Sequence, residues 1–118
     1  MSWFKSSSPK HPQEMRVPQV RFLSEQNGPP EQLLKNRLIE FFQRDKSVRR
    51  AYLAKVALSE QSNVALCLKT QFGADRGLAE KIGGIFGMIF NAHEHLDIIF
   101  LDDQQESELA KVCSPFFG

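Results

Sequence analysis

The sequence is poor in cysteine, in polar aromatic residues and in long apolar runs. Its 118 residues include two cysteines, one tryptophan and one tyrosine. Two cysteines are too few for a disulfide framework, and an unexported protein keeps such thiols reduced. No apolar run approaches the roughly 20 residues that cross a bilayer, and the N-terminus lacks the apolar stretch of a signal peptide. We therefore expect a cytoplasmic protein with no membrane partner.

The sequence also lacks an excess of charge of one sign, since its net charge is only +1. A value near zero disfavours a dedicated nucleic-acid binder, whose affinity depends on neutralising phosphates. The charge is nevertheless uneven, because residues 1–58 carry eleven Lys/Arg and five Asp/Glu, whereas residues 59–118 carry four and nine. This asymmetry indicates an interaction surface, unless folding interleaves the two halves and dilutes the contrast.

The sequence is rich in phenylalanine, with ten residues. Its length is that of one domain. Residues 1–16 are rich in serine, proline and lysine without apolar periodicity, so we predict a disordered tail. Residues 17–118 are predicted to form a single domain. The Trp3–Phe4 pair in the tail is a candidate anchor that docks on a partner or returns to the domain.

Alternating and helical periodicities predict seven elements in this domain. They are a strand at 17–23, a helix from Pro30 to Arg44, strands at Val48–Leu58 and Val64–Phe72 joined by a polar turn at Ser59–Asn63, a helix from the N-cap region at Asp75 to Asn91, a strand at Leu96–Leu101 and a short acidic helix at Asp103–Cys113.

The order strand, helix, strand, strand, helix, strand is typical of an α+β fold of ferredoxin-like split βαβ type with a short C-terminal helix added. We expect one mainly antiparallel sheet with the two main helices on one face. The last strand is apolar on both sides and is expected to be central. The terminal helix with Phe116 and Phe117 is expected to cover part of the second face.

Four short segments resemble the C-terminal domain of the SseB family, the enhanced serine sensitivity proteins. They are Gly28-Pro29-Pro30-Glu31-Gln32-Leu33, Val48-Arg49-Arg50-Ala51-Tyr52-Leu53-Ala54, Leu96-Asp97-Ile98-Ile99-Phe100-Leu101 and Ser114-Pro115-Phe116-Phe117. The resemblance spans Val20 to Phe117 and implies a bacterial cytoplasmic protein. It supplies no biochemical activity and no catalytic residues to carry over.

Candidate chemistry is sparse, and an enzyme is the least favoured class. His93-Glu94-His95 precedes the last strand, but a metal site needs a third ligand and neither cysteine stands at ligand spacing. Asp102 and Asp103 are typical of a helix N-terminus. Cys67 lies mid-strand on what the pattern indicates is the more polar face, where a half-buried packing role is expected. We predict no cofactor and no metal.

Two groups are candidate contact surfaces. The partner surface comprises a basic set and two terminal aromatics: Lys35, Arg37, Arg44, Arg49, Arg50, Phe116 and Phe117. The second group is Gly83 and Gly87, whose spacing suits either a helix contact in a dimer or, as we favour, tight packing onto the sheet.

Three functional hypotheses follow, of which an enzyme using His93, His95 or Cys67 is the least favoured. The first is a non-catalytic protein-interaction or regulatory module with an unknown protein partner or with a second copy. The alternative is a small-ligand, amino-acid-sensing domain analogous to ACT-type domains, with the ligand near Gly28–Glu31; this is an analogy of fold alone. RNA binding requires exposed aromatics on central strands, and Tyr52 is the one candidate.

Overall fold

The computed structural model describes residues 20–58, 61–91 and 94–118. The elements are β1 (Val20–Glu25), α1 (Pro29–Arg44), β2 (Val48–Leu58), β3 (Gln61–Thr70), α2 (Arg76–Ile89), β4 (Asp97–Phe100) and α3 (Asp103–Leu109). The predicted tail at 1–16, the Trp3–Phe4 pair and His93 lie outside the described residues. The predicted succession of strands and helices along the chain is confirmed, and the fold is α+β.

The four strands form one mixed sheet in the order β1-β2-β3-β4. The β1–β2 and β2–β3 pairs are antiparallel, and β3–β4 is parallel. The predicted ferredoxin-like order is not confirmed, because β1 lies at an edge and pairs with β2, its Val20 opposite Leu58. Periodicity predicts which segments are strands, but a helical connection such as α1 allows the strands it joins to be neighbours or not.

The first face of the sheet is covered by α1 and α2. The two helices bury their apolar positions at helical spacing against the odd-numbered side of β2 and the even-numbered side of β3. The largest members of this first core are Leu34, Leu38, Phe42, Leu53, Leu66, Leu68, Leu78, Ile82 and Phe86. The prediction that the two main helices share one face is therefore confirmed.

The second face is covered in part by α3. Leu109 and Cys113, from α3 and the turn after it, pack on Tyr52, Val56 and Cys67 of the central strands. Cys67 is fully buried in this second core, so the prediction of a half-buried residue on a polar face is wrong. The alternation of Ala65, Cys67 and Lys69 looks polar in sequence because these side chains are small or reach out to α3.

Strand β4 is an edge strand, not the central strand that its apolar pattern predicted. Ile98 and Phe100 pack against the first core, and Ile99 lies in the second. Burial on both faces produces the same apolar pattern whether or not a strand has two neighbours. The β2–β3 turn is likewise shorter than the predicted 59–63, because β3 begins at Gln61 opposite Leu58.

Two aspartates begin helices as their positions predicted. Asp75 Oδ1 accepts a hydrogen bond from Leu78 N at 3.1 Å and starts α2. Asp102 accepts from Gln105 N at 2.7 Å while Gln105 Oε1 accepts from Asp102 N at 2.9 Å, which is a complete capping box. This box fixes where the chain leaves β4 and crosses the second face as α3.

Candidate functional site

The predicted basic surface is divided by the fold. Lys35 is buried, its Nζ 3.6 Å from Glu25 Oε2 and 5.9 Å from the centre of the Phe116 ring. Arg50 lies on the second face, where its guanidinium binds Glu106 of α3. Three members of the set, Arg37, Arg44 and Arg49, remain exposed. Lys35 and Arg50 are therefore engaged within the fold, and the partner surface stays a prediction for the set as a whole.

Glu106 holds α3 against the sheet. Its Oε1 accepts from Arg50 Nη2 at 2.9 Å, and its Oε2 accepts from Arg50 Nε and from Tyr52 Oη, the latter at 2.7 Å. Arg50 and Tyr52 are two apart on β2 and so point to the same face. A second ion pair joins Lys69 Nζ to Asp103 Oδ1 at 2.7 Å. Tyr52 is thus engaged and is not an exposed stacking platform.

The same contacts set the charge states of this network. The hydrogen bond from Arg50 lowers the pKa of the Glu106 carboxyl below its ordinary value, against an opposing effect of burial. Burial, followed by the hydrogen bond to the Glu106 carboxylate, raises the pKa of Tyr52 to about 12. Glu106 is therefore an anion and Tyr52 a neutral donor at neutral pH, a combination that holds α3 and leaves neither group poised for proton transfer.

The terminal aromatics close the first core instead of the second face. Phe116 N donates to Ala51 O at 2.8 Å, and Ala51 N donates to Phe117 O at 3.1 Å. The Phe117 and Phe116 rings lie 5.3 and 6.5 Å from the Phe42 ring. Residues Phe116–Phe117, here called the terminal clasp, pair with Ala51 of β2. They occupy the edge of β2 beyond Ala54, the last residue of that strand that pairs with β1. Both rings are half-buried, and their role in a partner surface stays a prediction.

The glycines of α2 face outward. A Cβ added at Gly83, Gly84 or Gly87 meets nothing within 4 Å, so the favoured prediction that these residues pack tightly onto the sheet is wrong. The helix buries the opposite side through Leu78, Ile82 and Phe86. The alternative, a helix contact at Gly83 and Gly87, remains a prediction.

The residues with catalytic potential are dispersed or buried. Burial raises the pKa of the Cys67 thiol, and burial also raises that of Cys113 to about 11. His95 Nε2 lies 2.7 Å from Asp97 Oδ1. In the ranges 20–58, 61–91 and 94–118, no group of three His, Cys, Asp or Glu side chains is arranged to hold a metal. In that part of the chain, no helix is long and apolar enough to cross a membrane.

The turn predicted to hold an amino-acid ligand is filled by Glu31. This side chain is buried and accepts a hydrogen bond from Gln26 Nε2 at 2.6 Å. A Cβ at Gly28 would lie 2.6 Å from Glu31 Oε1, so any larger residue there would displace this carboxylate from its hydrogen bond with Gln26. The Gly28–Glu31 turn is therefore a packed joint between β1 and α1.

A cavity of about 480 Å³ lies instead between β1 and α3. Four consecutive residues, Val20–Leu23, form one wall, and the other includes Gln105, Glu108 and Val112. Because consecutive strand residues point to opposite faces, a cavity that touches all four must run along the edge of the strand. Leu23 and Val112, which are 38% and 39% exposed, are the most exposed of its apolar side chains.

The polar groups of this cavity are unevenly satisfied. The Asp102 carboxylate is held by Gln105 N, and Glu108 pairs with Lys111 at 3.4 Å. By contrast, the described residues give Arg21 no ion pair, and the buried Gln105 Nε2 has no hydrogen-bond partner. The Gln105 Nε2 atom itself is inaccessible to solvent, so Arg21 is the unpaired cation that the cavity presents.

Sequence reasoning missed this site because its two walls are about 80 residues apart along the chain. One local feature marks it, since the register of β1 against β2 shifts between Phe22 and Ser24 and leaves Leu23 as an extra residue. Such bulges concentrate at sheet edges and beside binding sites. Nothing in the alternation of Val20–Glu25 distinguishes the bulge from a regular strand.

One comparison with known proteins gives a result. The family model described as the SseB protein C-terminal domain matches residues 18–118. This range begins just before β1 and includes every element of the sheet, α3 and the terminal clasp. No curated protein and no solved structure matches the chain significantly.

Proposed function

The chain belongs to the SseB protein C-terminal domain family, and from that premise we propose that it is a non-catalytic protein-interaction module acting in the cytoplasm. The observation that supports this proposal is the edge of β1, with the cavity that runs along it. Within the described part of the chain, no strand pairs with the outer side of β1. An unpaired edge with apolar side chains is an established mode of partner contact.

The state of the reactive groups supports a binding role over a chemical one. Cys67 is buried with a raised pKa, and Tyr52 and Glu106 are committed to holding α3. Catalytic groups need a matched partner and access to substrate. The two cysteines are free thiols, which is consistent with a reducing compartment.

Affinity capture from native lysate with matched variants tests the proposal. Val112→Glu places a charge at the mouth of the cavity, and Met88→Glu places the same charge on α2, where Met88 is 82% exposed. We expect proteins captured by the wild type to be lost with Val112→Glu and retained with Met88→Glu. An identical set captured by all three, or a single-residue substitution that abolishes measurable turnover of a substrate, would refute the proposal.

A small-ligand sensor is the second candidate, favoured by the volume of the cavity. A space of about 480 Å³ falls within the range of about 300–1,000 Å³ for small-molecule sites. A thermal-unfolding panel of amino acids including L-serine, nucleotides and divalent metals tests it. A ligand at one hundred times its Kd adds about 2.7 kcal/mol, roughly ten degrees for a domain of this size. A selective shift abolished by Val112→Glu would favour the sensor, and a flat panel would exclude the ligands tested.

A further inference from the structure

We propose that the outer edge of β1 binds an extended, apolar peptide segment that carries an acidic residue, taken up from a partner protein as an additional strand. This inference rests on the proposed interaction function and specifies the chemistry of the partner. The peptide binds in an extended conformation, with alternate apolar side chains directed into the cavity and one carboxylate directed to Arg21.

The edge of β1 is the most available edge of the sheet. At the opposite side, β4 is only four residues long, and short edge strands are a common protection against pairing. The part of β2 that β1 leaves uncovered is already paired, because Ala51 exchanges backbone hydrogen bonds with Phe116 and Phe117. Strand β1 has six residues and, among the described residues, β2 as its one neighbour.

The cavity adds side-chain specificity to this edge. It follows β1 from Val20 to Leu23, so a strand laid beside β1 would cover it along its length. Val20 and Phe22 pack inward on the second core, whereas Leu23 and Val112 remain more than one-third exposed at the rim. An apolar side chain of an added strand would cover the exposed surfaces of Leu23 and Val112 together.

The acidic residue follows from the balance of charges around the cavity. The carboxylates of the wall are engaged within α3 and its following turn, Asp102 by Gln105 N and Glu108 by Lys111. Arg21 is exposed and carries no ion pair among the described residues. A carboxylate satisfies the Arg21 guanidinium better than any neutral acceptor does.

Fluorescence anisotropy with three synthetic peptides tests the proposal. Each is eight residues long and alternates valine with threonine, with glutamate at one central position in the first and lysine in the second. The third is the glutamate peptide with N-methyl groups on alternate residues, which removes strand hydrogen bonds. We expect the glutamate peptide to bind at least about tenfold more tightly than either of the others. The lysine peptide replaces an ion pair with Arg21 by like-charge repulsion, and the N-methylated peptide loses backbone hydrogen bonds to β1.

Two protein variants locate the binding. Arg21→Glu should reverse the preference in favour of the lysine peptide, and Met88→Glu should leave all three affinities unchanged. Thermal midpoints of both variants verify folding, and ¹H–¹⁵N spectra of the wild type should show the largest shifts at Val20–Glu25. Equal binding of the N-methylated peptide, or an unchanged preference in Arg21→Glu, would overturn the proposal.

The same experiments distinguish the acidic-strand proposal from the broader proposal of a protein-interaction module. If no peptide binds while lysate capture still depends on Val112, the interaction module stands and the acidic strand is wrong. If neither peptide binding nor Val112-dependent capture is observed, both proposals fail.

Discussion

Tyr52 Oη donates a 2.7 Å hydrogen bond to Glu106 Oε2 and so ties the second strand to α3 across 54 positions of sequence. Arg50 donates to the same carboxylate from the same strand. The network positions α3, and α3 supplies one wall of the cavity beside β1. Its strength therefore determines how well the proposed binding edge is preformed.

Replacing Glu106 with glutamine should destabilise the fold. Glu106→Gln keeps the shape of the side chain but removes the negative charge and replaces one accepting oxygen with an amide NH₂ that cannot accept from Arg50, at a cost of about 1.5 kcal/mol. Urea unfolding at neutral pH measures the change. Glu108→Gln is the matched control, because Glu108 makes an exposed pair with Lys111 at 3.4 Å and should cost less than about 0.5 kcal/mol. Equal effects would contradict a specific role for Glu106.

The stability difference between wild type and Glu106→Gln should depend on pH. Because Arg50 lowers the pKa of Glu106 in the folded protein, this carboxylate stabilises the fold fully above its unfolded pKa of about 4.3. The contribution is lost as pH falls through the folded pKa. The two proteins should therefore approach each other in stability as pH falls below about 4.3, and the difference should vanish only below the lowered pKa of folded Glu106. A constant difference down to the acid-unfolding limit would exclude this origin.

Tyr52 is the single tyrosine of the chain, so its ionisation can be followed by phenolate absorbance. Burial and the Glu106 carboxylate raise its pKa to about 12. A raised folded pKa means that the neutral phenol stabilises the fold below about pH 10 and that this contribution is lost as pH rises through about 12. Glu106→Gln should lower the Tyr52 pKa, because it removes the adjacent negative charge. An unperturbed titration near pH 10 in folded wild type would contradict the network.

These contacts show which parts of the fold local sequence can predict. The bounds of β2 at Val48–Leu58 and the N-caps at Asp75 and Asp102 were predicted as observed. Each depends on a few neighbouring residues, through alternation or through a side chain that reaches the next helical turn. The boundary of β3 was missed because Gln61 and Ser62 are exposed strand residues whose polarity is also typical of a turn.

Pairings across long separations were not predictable from one sequence. Nothing local to Val20–Glu25 specifies β2 as its neighbour, and nothing local to Phe117 specifies Ala51. The same holds for Arg50, whose charge suggested a partner surface but is neutralised by Glu106. Consequently the α+β class could be predicted, whereas the sheet order and the β1–α3 cavity could not.

The terminal clasp should contribute measurably to stability. Phe117→Ala removes a half-buried ring 5.3 Å from the Phe42 ring, and we expect a loss of about 2 kcal/mol, less than for a fully buried phenylalanine. Phe72→Ala is the control, since Phe72 is 87% exposed and should change stability by less than about 0.5 kcal/mol. Similar losses in both variants would contradict a specific contribution of the clasp.

Alanine substitution should have opposite effects on stability at Gly84, on the exposed face of α2, and at Gly28, before α1. At Gly84 an added Cβ meets nothing within 4 Å, so Gly84→Ala should stabilise the protein by about 0.5–1 kcal/mol through helix propensity alone. Gly28→Ala should destabilise it, because the new Cβ would lie 2.6 Å from Oε1 of Glu31 and displace a buried carboxylate that accepts a hydrogen bond from Gln26. Urea unfolding of both variants checks the two opposite signs.

The same approach tests the predicted dimer contact at Gly83 and Gly87. If these residues form a helix contact between two copies, the double variant Gly83→Ala, Gly87→Ala will gain stability as a monomer but lose association, because close backbone approach requires the missing Cβ. Sedimentation analysis of wild type and variant gives the answer. A wild type that associates and a variant that does not would assign α2 to self-association, and β1 would remain available for a different partner. Equal association would exclude the glycines as the contact. The edge of β1 would then be the candidate contact, and Val112→Glu should disrupt the association.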